Sequence, residues 1–320
     1  MSTPSLALVI PTYCRADLLR MGLEQMASGL VANQIALYIS DDSPDTTTQN
    51  MVSEFTNRIP NMQYRRNDPA LKHDRNIVRS LLWPSEDYVW ILGDAGIVKP
   101  GAFERVISIM RQHQDFIFVN SHAEQTSDIE VMQGATARTF VRDHLWHQTL
   151  TGATIYSRRV LSWLEEYSPE ANGLTPNFPH LAILVDFMAS HDASIGWVGM
   201  PSTRFSPKTS YWRKHALSVF VKDWAAVVRR QPDIIHPHEI PAVLQSHSLK
   251  NALFDVDLLV ELRRGGSLHP TYLRNAPDAY HAVHLPNWMT YMIARLPMGM
   301  LNPVFTGIKI TRRLRRMVKV

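Results

Sequence analysis

Residues 6–15, LALVIPTYCR, and residues 88–96, YVWILGDAG, decide how the chain is read. Each is a short apolar run that stops at a polar turn, the first at Pro11-Thr12-Tyr13 and the second at Gly93-Asp94. Unbroken apolar runs of this length, bounded by turn residues, mark strands buried on both faces. Between them, Ile35 to Ile39 is a second such run, cut off by Ser40-Asp41-Asp42-Ser43-Pro44-Asp45, and Met62 to Arg65 is a weaker third. Helical spacing fills the gaps: residues 15–30 with Leu18, Leu19, Leu23 and Met26, then Thr47 to Asn57, then Arg75 to Leu82. Pro100 and Gly101 open a further helix to about Gln112, and Phe116 to Asn120 reads as a fifth strand.

Strands separated by helices of this length need right-handed crossovers, so the expected fold is α/β with a mainly parallel, covered sheet. In such sheets ligands sit beyond the carboxyl ends of the strands. Those ends carry Thr12, Tyr13 and Arg15, then Asp41 and Asp42, then Asp94. Beyond about Pro207 the alternation gives way to helical stretches rich in Trp, His and Arg. The expected division is therefore an α/β domain over residues 1–205 and a helical region over 206–320.

The chain has 320 residues, enough for a core that needs no staple. With 45% hydrophobic and 19% charged residues, wholesale disorder is excluded. The single cysteine, Cys14, excludes an internal disulfide framework and a cysteine-based zinc site, and fits a reducing, cytosolic compartment. Cys14 also lacks an identifiable His and Asn partner pattern for a thiol nucleophile. The opening MSTPSLALVIPTY has no basic segment and reads as a buried first strand, not a signal peptide. The net charge of +4 is uneven: Ala279 to Val320 holds seven Lys or Arg and no acid. The body lacks recurring basic patches interleaved with aromatics, so a nucleic-acid partner is not expected.

Two clusters carry candidate chemistry. Asp41 and Asp42 either end a strand in a turn or accept hydrogen bonds from a nucleotide base or ribose. Lys72-His73-Asp74-Arg75-Asn76 either neutralises a diphosphate or forms a helix N-terminus capped by Asp74; the two readings are compatible.

IPTYCR, ISDDSPD, the DRN of residues 74–76 and LGDAGIVKPGAFERV stand in the order and spacing of family 2 glycosyltransferases of the GT-A fold, which the chain resembles over roughly residues 5–205. TGATIYSRRVL, residues 151–161, is similar to that family's acceptor-side strand and turn. Within the family, the chain looks most like bacterial enzymes of lipopolysaccharide O-antigen or capsule synthesis. The resemblance implies inverting transfer of a sugar from a nucleotide diphosphate sugar to a growing glycan or lipid-linked acceptor. It also implies a donor site lined by Pro11, Thr12, Asp41 or Asp42, Arg75 and Asp94; Tyr13, Arg15 and Lys72, at the same strand end and helix start, are further donor-binding candidates.

The family usually carries Asp-x-Asp after the fourth strand, holding a divalent cation against the diphosphate; this chain has Gly93-Asp94-Ala95-Gly96. One carboxylate remains. Either Mg²⁺ or Mn²⁺ is held weakly through Asp94, or Arg75, Lys72 or Lys99 stabilise the leaving group instead, or activity is lost. The family's base is an acid at a helix start, and that location here reads Asn177-Phe178-Pro179-His180-Leu181. His180 is the expected base and Asp186 the second candidate. His144 and His147, three apart on a helix, read as structural or acceptor-side, and Trp197, Tyr211 and Trp212 as core or sugar-stacking aromatics.

Two other functions remain: a degenerate family member that scaffolds a glycan-assembly complex, and a nucleotidyltransferase. The second lacks a Gly-rich phosphate loop near the first strand.

On a helical wheel of residues 304–319, Val304, Ile308, Ile310, Leu314, Met317 and Val318 fall within one half. Lys309, Arg312, Arg313, Arg315, Arg316 and Lys319 occupy essentially the other, with Phe305 the one apolar residue among them. Such a helix suits an anionic membrane surface and places the protein on the cytoplasmic face of the cell membrane; the alternative is packing on the catalytic domain or on a second subunit of an oligomer.

Overall fold

A computed structural model describes residues 3–167, 173–205 and 211–300. The basic tail, Lys309 to Lys319, lies outside the described residues. The chain forms two compact units, Met1–Thr209 and Ser210–Val320.

The first unit opens with β1 (Leu6–Thr12), α1 (Ala16–Ala32), β2 (Ala36–Asp41), α2 (Thr47–Ser53), β3 (Met62–Arg66), α3 (His73–Leu81) and β4 (Tyr88–Ile91). It continues through β5 (Gly96–Val98), α4 (Ala102–Met110), β6 (Phe116–Val119), β7 (Ile129–Met132), α5 (Gly134–Gln148) and β8 (Thr154–Ser157). It closes with α6 (Arg158–Tyr167), α7 (Pro179–Ser190), β9 (Ile195–Val198) and β10 (Thr203–Phe205).

Eight strands make one sheet in the order β3-β2-β1-β4-β8-β6-β9-β7, and β10 pairs with β5 in a small second sheet. The first four strands of that order run parallel, as the strand–helix alternation requires. β8 is inserted antiparallel between β4 and β6, while β6 and β9 run parallel. The expectation of a mainly parallel sheet therefore describes the β3-to-β4 half; the other half is mixed.

Both faces are covered, which is why β1 and β4 read as unbroken apolar runs. Leu6 to Ile10 and Tyr88 to Ile91 are all buried. Leu8, Ile10, Leu19, Leu23, Leu37, Trp90 and Phe103 share one core, with Phe103 packed edge-on to Trp90 at 5.9 Å. Trp197, offered by the sequence as core or sugar-stacking, is fully buried, and its indole N–H donates to the Gln125 carbonyl at 3.0 Å.

The second unit is helical. A 3₁₀ turn (Tyr211–His215) and a π-helix (Ser218–Asp223) lead into α8 (Trp224–Val228). α9 (Ile240–Lys250), α10 (Val256–Arg264), α11 (Pro270–Asn275), α12 (Ala279–Ala282) and α13 (Asn287–Arg295) follow. Trp212 packs edge-on to Phe220 at 5.2 Å within this unit. Among the described residues no helix is long and apolar enough to cross a membrane.

Candidate active site

The register of the sheet brings the polar strand ends together. Thr12 is the partner of Asp41, and Asp41 is the partner of Arg66. Asp42 N–H donates to the Thr12 carbonyl at 3.0 Å, and Cys14 N–H donates to Ser43 Oγ at 2.8 Å. The turns after β1 and β2 are thus fastened to each other. Pro11 is half-buried on β1, Thr12 is buried, and Tyr13 stands 61% exposed beyond the strand.

Asp94 closes this end of the sheet from β4. Its Oδ2 accepts from Thr12 Oγ1 at 3.1 Å and its Oδ1 from Arg15 Nη1 at 3.1 Å. Burial raises the Asp94 carboxyl above the ordinary aspartate range; the Arg15 charge and the hydrogen bonds from Arg15, Thr12 and the Tyr13 N–H oppose that rise. Three residues named from the sequence, Thr12, Arg15 and Asp94, therefore form one cluster.

The turn that carries Asp94 is tight. Gly96 N–H donates back to the Gly93 carbonyl at 2.7 Å. A Cβ at Gly96 would meet Leu92 Cδ1 at 2.6 Å and the Gly93 carbonyl oxygen at 2.9 Å, closer than real Cβ contacts come. Position 96 is where the second acid of an Asp-x-Asp would stand, and the packing there has no room for it. No group of three or more His, Cys, Asp or Glu that could hold a metal occurs among the described residues. Both oxygens of Asp94 already take protein donors. This donor set does not fit the usual divalent-cation clamp.

The two adjacent acids of β2 have different surroundings. Both are buried, Asp41 fully and Asp42 to 3% exposure; Asp41 Oδ1 accepts from Ser43 N–H at 2.8 Å and its Oδ2 from Tyr64 O–H at 2.8 Å. Burial, together with that carboxylate, raises the Tyr64 phenol. Asp42 uses Oδ1 to hold the next loop, accepting from Asn67 Nδ2 at 2.7 Å and Leu71 N–H at 3.1 Å. Its Oδ2 has no hydrogen bond among the described residues. Asp41 builds the turn, and Asp42 is the acid with an oxygen to offer.

The loop pinned by Asp42 leads into α3. Ser40 Oγ donates to Asn76 Oδ1 at 2.7 Å, and Asn76 Nδ2 donates to the Ser40 carbonyl at 3.2 Å, which fixes the helix against β2. Lys72, at φ 66°, is the N-cap residue, with no side-chain cap hydrogen bond. Asp74 is therefore not the cap. Its Oδ1 accepts from Asn177 N–H at 3.2 Å and from His73 Nδ1 at 2.8 Å. Lys72 and Arg75 are exposed beside this pair.

Asn177 opens the turn into α7, so the His73–Asp74 pair stands at the entry of the helix that carries His180. His180 itself is buried, at 1% exposure. Its Nε2 lies 3.2 Å from the Gln148 carbonyl, and its own carbonyl accepts from Tyr156 O–H at 3.0 Å. Its Nδ1 is buried without a partner. Burial, with the nearby His73, holds the imidazole down to about 4. Asp186 is buried deeper in α7, where its Oδ2 accepts from Tyr167 O–H at 3.0 Å.

His144 and His147 are stacking groups. His144 lies face-on to Phe140 at 4.0 Å, and both histidines pack against Trp197. His147 Nε2 accepts from Ser121 N–H at 3.0 Å, and burial, helped by His122 and His144, depresses its imidazole to about 3. The sequence did not single out the His73–Asp74 pair. Its signal was present, since a His beside an Asp at a helix start is a hydrogen-bonded pair in waiting, but a cap and a charge explained the same letters.

Residues 7–161 match the family described as "Glycosyl transferase family 2". No curated protein sequence matches the chain. Among solved structures, S. aureus TarS 1–349 in complex with UDP-GlcNAc superposes with a TM-score of 0.54 at 11% identity, covering 87% of this chain and 84% of that one. The same protein in complex with UDP gives 0.55 at 10% identity, over 91% and 90%. The mannosyltransferase PcManGT from Pyrobaculum calidifontis, in complex with GDP-Man and Mn²⁺, gives 0.50 at 13% identity, over 88% and 86%. At these identities the likeness is one of fold. The match over the strands that bear Thr12, Asp41, Asp42 and Asp94 places residues 7–161 in glycosyl transferase family 2, and the chain around them has the fold of the GT-A glycosyltransferases it superposes on.

Proposed function

We propose that this glycosyltransferase moves a sugar from a nucleotide diphosphate sugar to a growing glycan or lipid-linked acceptor, with inversion and without a tightly held divalent cation. The observation that carries the reading is the Thr12–Arg15–Asp94 cluster at the carboxyl ends of β1 and β4, beside Asp42 at the end of β2. Asp42 Oδ2 accepts from the base or ribose. Tyr13 offers an exposed ring beside it. Lys72 and Arg75, exposed at the start of α3, neutralise the diphosphate as it leaves, in place of the ion. The bacterial surface-polysaccharide pathways implied by the sequence resemblance remain the proposed setting.

Inversion requires a base for the acceptor hydroxyl. His180 and Asp186 are enclosed in α7, whereas the His73 side chain is half exposed at the mouth of the same helix. A carboxylate only accepts, so Asp74 Oδ1 takes the hydrogen bond from His73 Nδ1 at 2.8 Å and orients the ring. The His73 imidazole is the group we assign to take the proton.

The test is a panel of nucleotide sugars assayed for nucleotide diphosphate release with a glycan or prenyl-linked acceptor. His73→Gln should lower kcat by roughly two to four powers of ten with donor affinity kept. Normal turnover in that variant would return the role to His180 or Asp186. Failure of every donor with the wild type would overturn the function itself.

A further inference from the structure

The helical unit holds a cavity of about 700 Å³ whose lining shares no residue with the Thr12–Arg15–Asp94 cluster. Its floor is apolar. Leu217, Val221 and Ala225 follow one another at four-residue intervals and are buried on the cavity side of the segment. Its rim is cationic. Lys214 and Lys222 line it, both exposed, and neither has an ion pair among the described residues. The one acid of the lining, Asp278, is spent on Arg229, which grips it with two bonds of 2.6 and 3.0 Å. The rim therefore has a surplus of positive charge.

Val221 and Lys222 lie on the π-helix. A π-turn packs worse than an α-turn and is retained most often where a site needs it. An apolar floor under unpaired cations matches one kind of ligand: an apolar chain ending in an anion. The volume is that of a site for one compact ligand. A single chain of about fifteen carbons with a phosphate is a ligand of that size.

We propose that this cavity binds a single-chain lipid phosphate, its chain on the Leu217–Val221–Ala225 floor and its phosphate between Lys214 and Lys222. The binding does not depend on the glycosyl-transfer reading. If that reading holds, the site gives a lipid-linked acceptor a second point of attachment.

The probe is farnesyl phosphate below its micellar concentration, titrated calorimetrically into the full chain. Farnesol and inorganic phosphate should each bind at least tenfold more weakly, since each keeps only half of the recognition. Lys222→Glu should weaken farnesyl phosphate at least tenfold by reversing the rim charge. Ala226→Trp, a change at an exposed position of the lining, should do the same by filling the space. Both variants should keep the wild-type helical circular-dichroism signal and unfolding midpoint, which shows that the helical unit folds, and nucleotide-sugar binding should persist, which separates this site from the donor cluster. Equal affinity of the wild type and both variants would overturn the proposal. So would binding of inorganic phosphate, or of dihexanoyl phosphatidic acid, as tight as that of farnesyl phosphate.

Discussion

Arg15 Nη1 meets Asp94 Oδ1 at 3.1 Å, so the lone acid of the turn after β4 is already paired with a cation of its own chain. In a site built around a divalent ion that carboxylate would face the metal. Here it ties the start of α1 to the end of β4, with Thr12 on its other oxygen.

Breaking this cluster should impair donor use. Asp94→Ala leaves Arg15 and Thr12 without their acceptor in a mostly buried place, at about 1–3 kcal/mol, or roughly ten- to a hundredfold in donor affinity. Arg15→Ala should cost a similar amount. The double variant should cost clearly less than the sum, because both changes remove one contact. Donor titrations of the four proteins give the coupling, and strict additivity would mean that the pair does not act as a unit.

Restoring the family motif should fail. Gly96→Asp supplies the second acid, but its Cβ runs into Leu92 and the Gly93 carbonyl. Overpacking of this kind costs about 1–3 kcal/mol. A lowered unfolding midpoint without Mn²⁺-stimulated turnover is the expected result. A stable variant that gains Mn²⁺ dependence would show that the turn has room.

Acid should destabilise the fold before the carboxylates titrate. His180 and His147 are buried with folded values of about 4 and about 3, below their ordinary 6.5. The unfolded chain therefore binds protons that the folded chain does not. The stability these two contribute is complete above pH 6.5 and falls as the pH drops through 6.5 towards 4. The loss reaches about 1.4 kcal/mol per histidine per pH unit at most. Urea midpoints measured from pH 7.5 to 4.5 should decline, and His180→Gln should flatten part of the decline. An unchanged slope would mean that His180 is not neutral and buried in solution.

Membrane association should reside in the basic tail. Six cations from Lys309 to Lys319, at about 1 kcal/mol each near an anionic surface, give salt-sensitive binding. Flotation with anionic liposomes should fall with added salt and on truncation after Pro303. Equal flotation of truncated and full-length chains would remove the tail from the account.

Much of the sheet was legible because its strands are covered on both faces. LALVI and YVWIL could hardly be anything else, and the helices between them kept their spacing. β7, with its exposed Glu130 and Val131, and the three-residue β5 and β10 left no comparable apolar run. The meeting of Thr12, Arg15 and Asp94 was legible for the same reason: strand ends are set by the strands. The division of labour between Asp41 and Asp42 was not, because it depends on Tyr64, Asn67 and Leu71, contributed by β3 and the loop after it. Nor was the burial of His180, since α7 is enclosed on all sides and its first turn offers no polar periodicity to reveal it.

The central claim is glycosyl transfer in which the chain's own cations take the part of the metal. The direct measurement is turnover of the active nucleotide sugar in excess EDTA, followed by readdition of Mn²⁺. Most of the rate should survive chelation, and Lys72→Ala with Arg75→Ala should abolish what survives. A rate that vanishes in EDTA and returns in full with Mn²⁺ would contradict it.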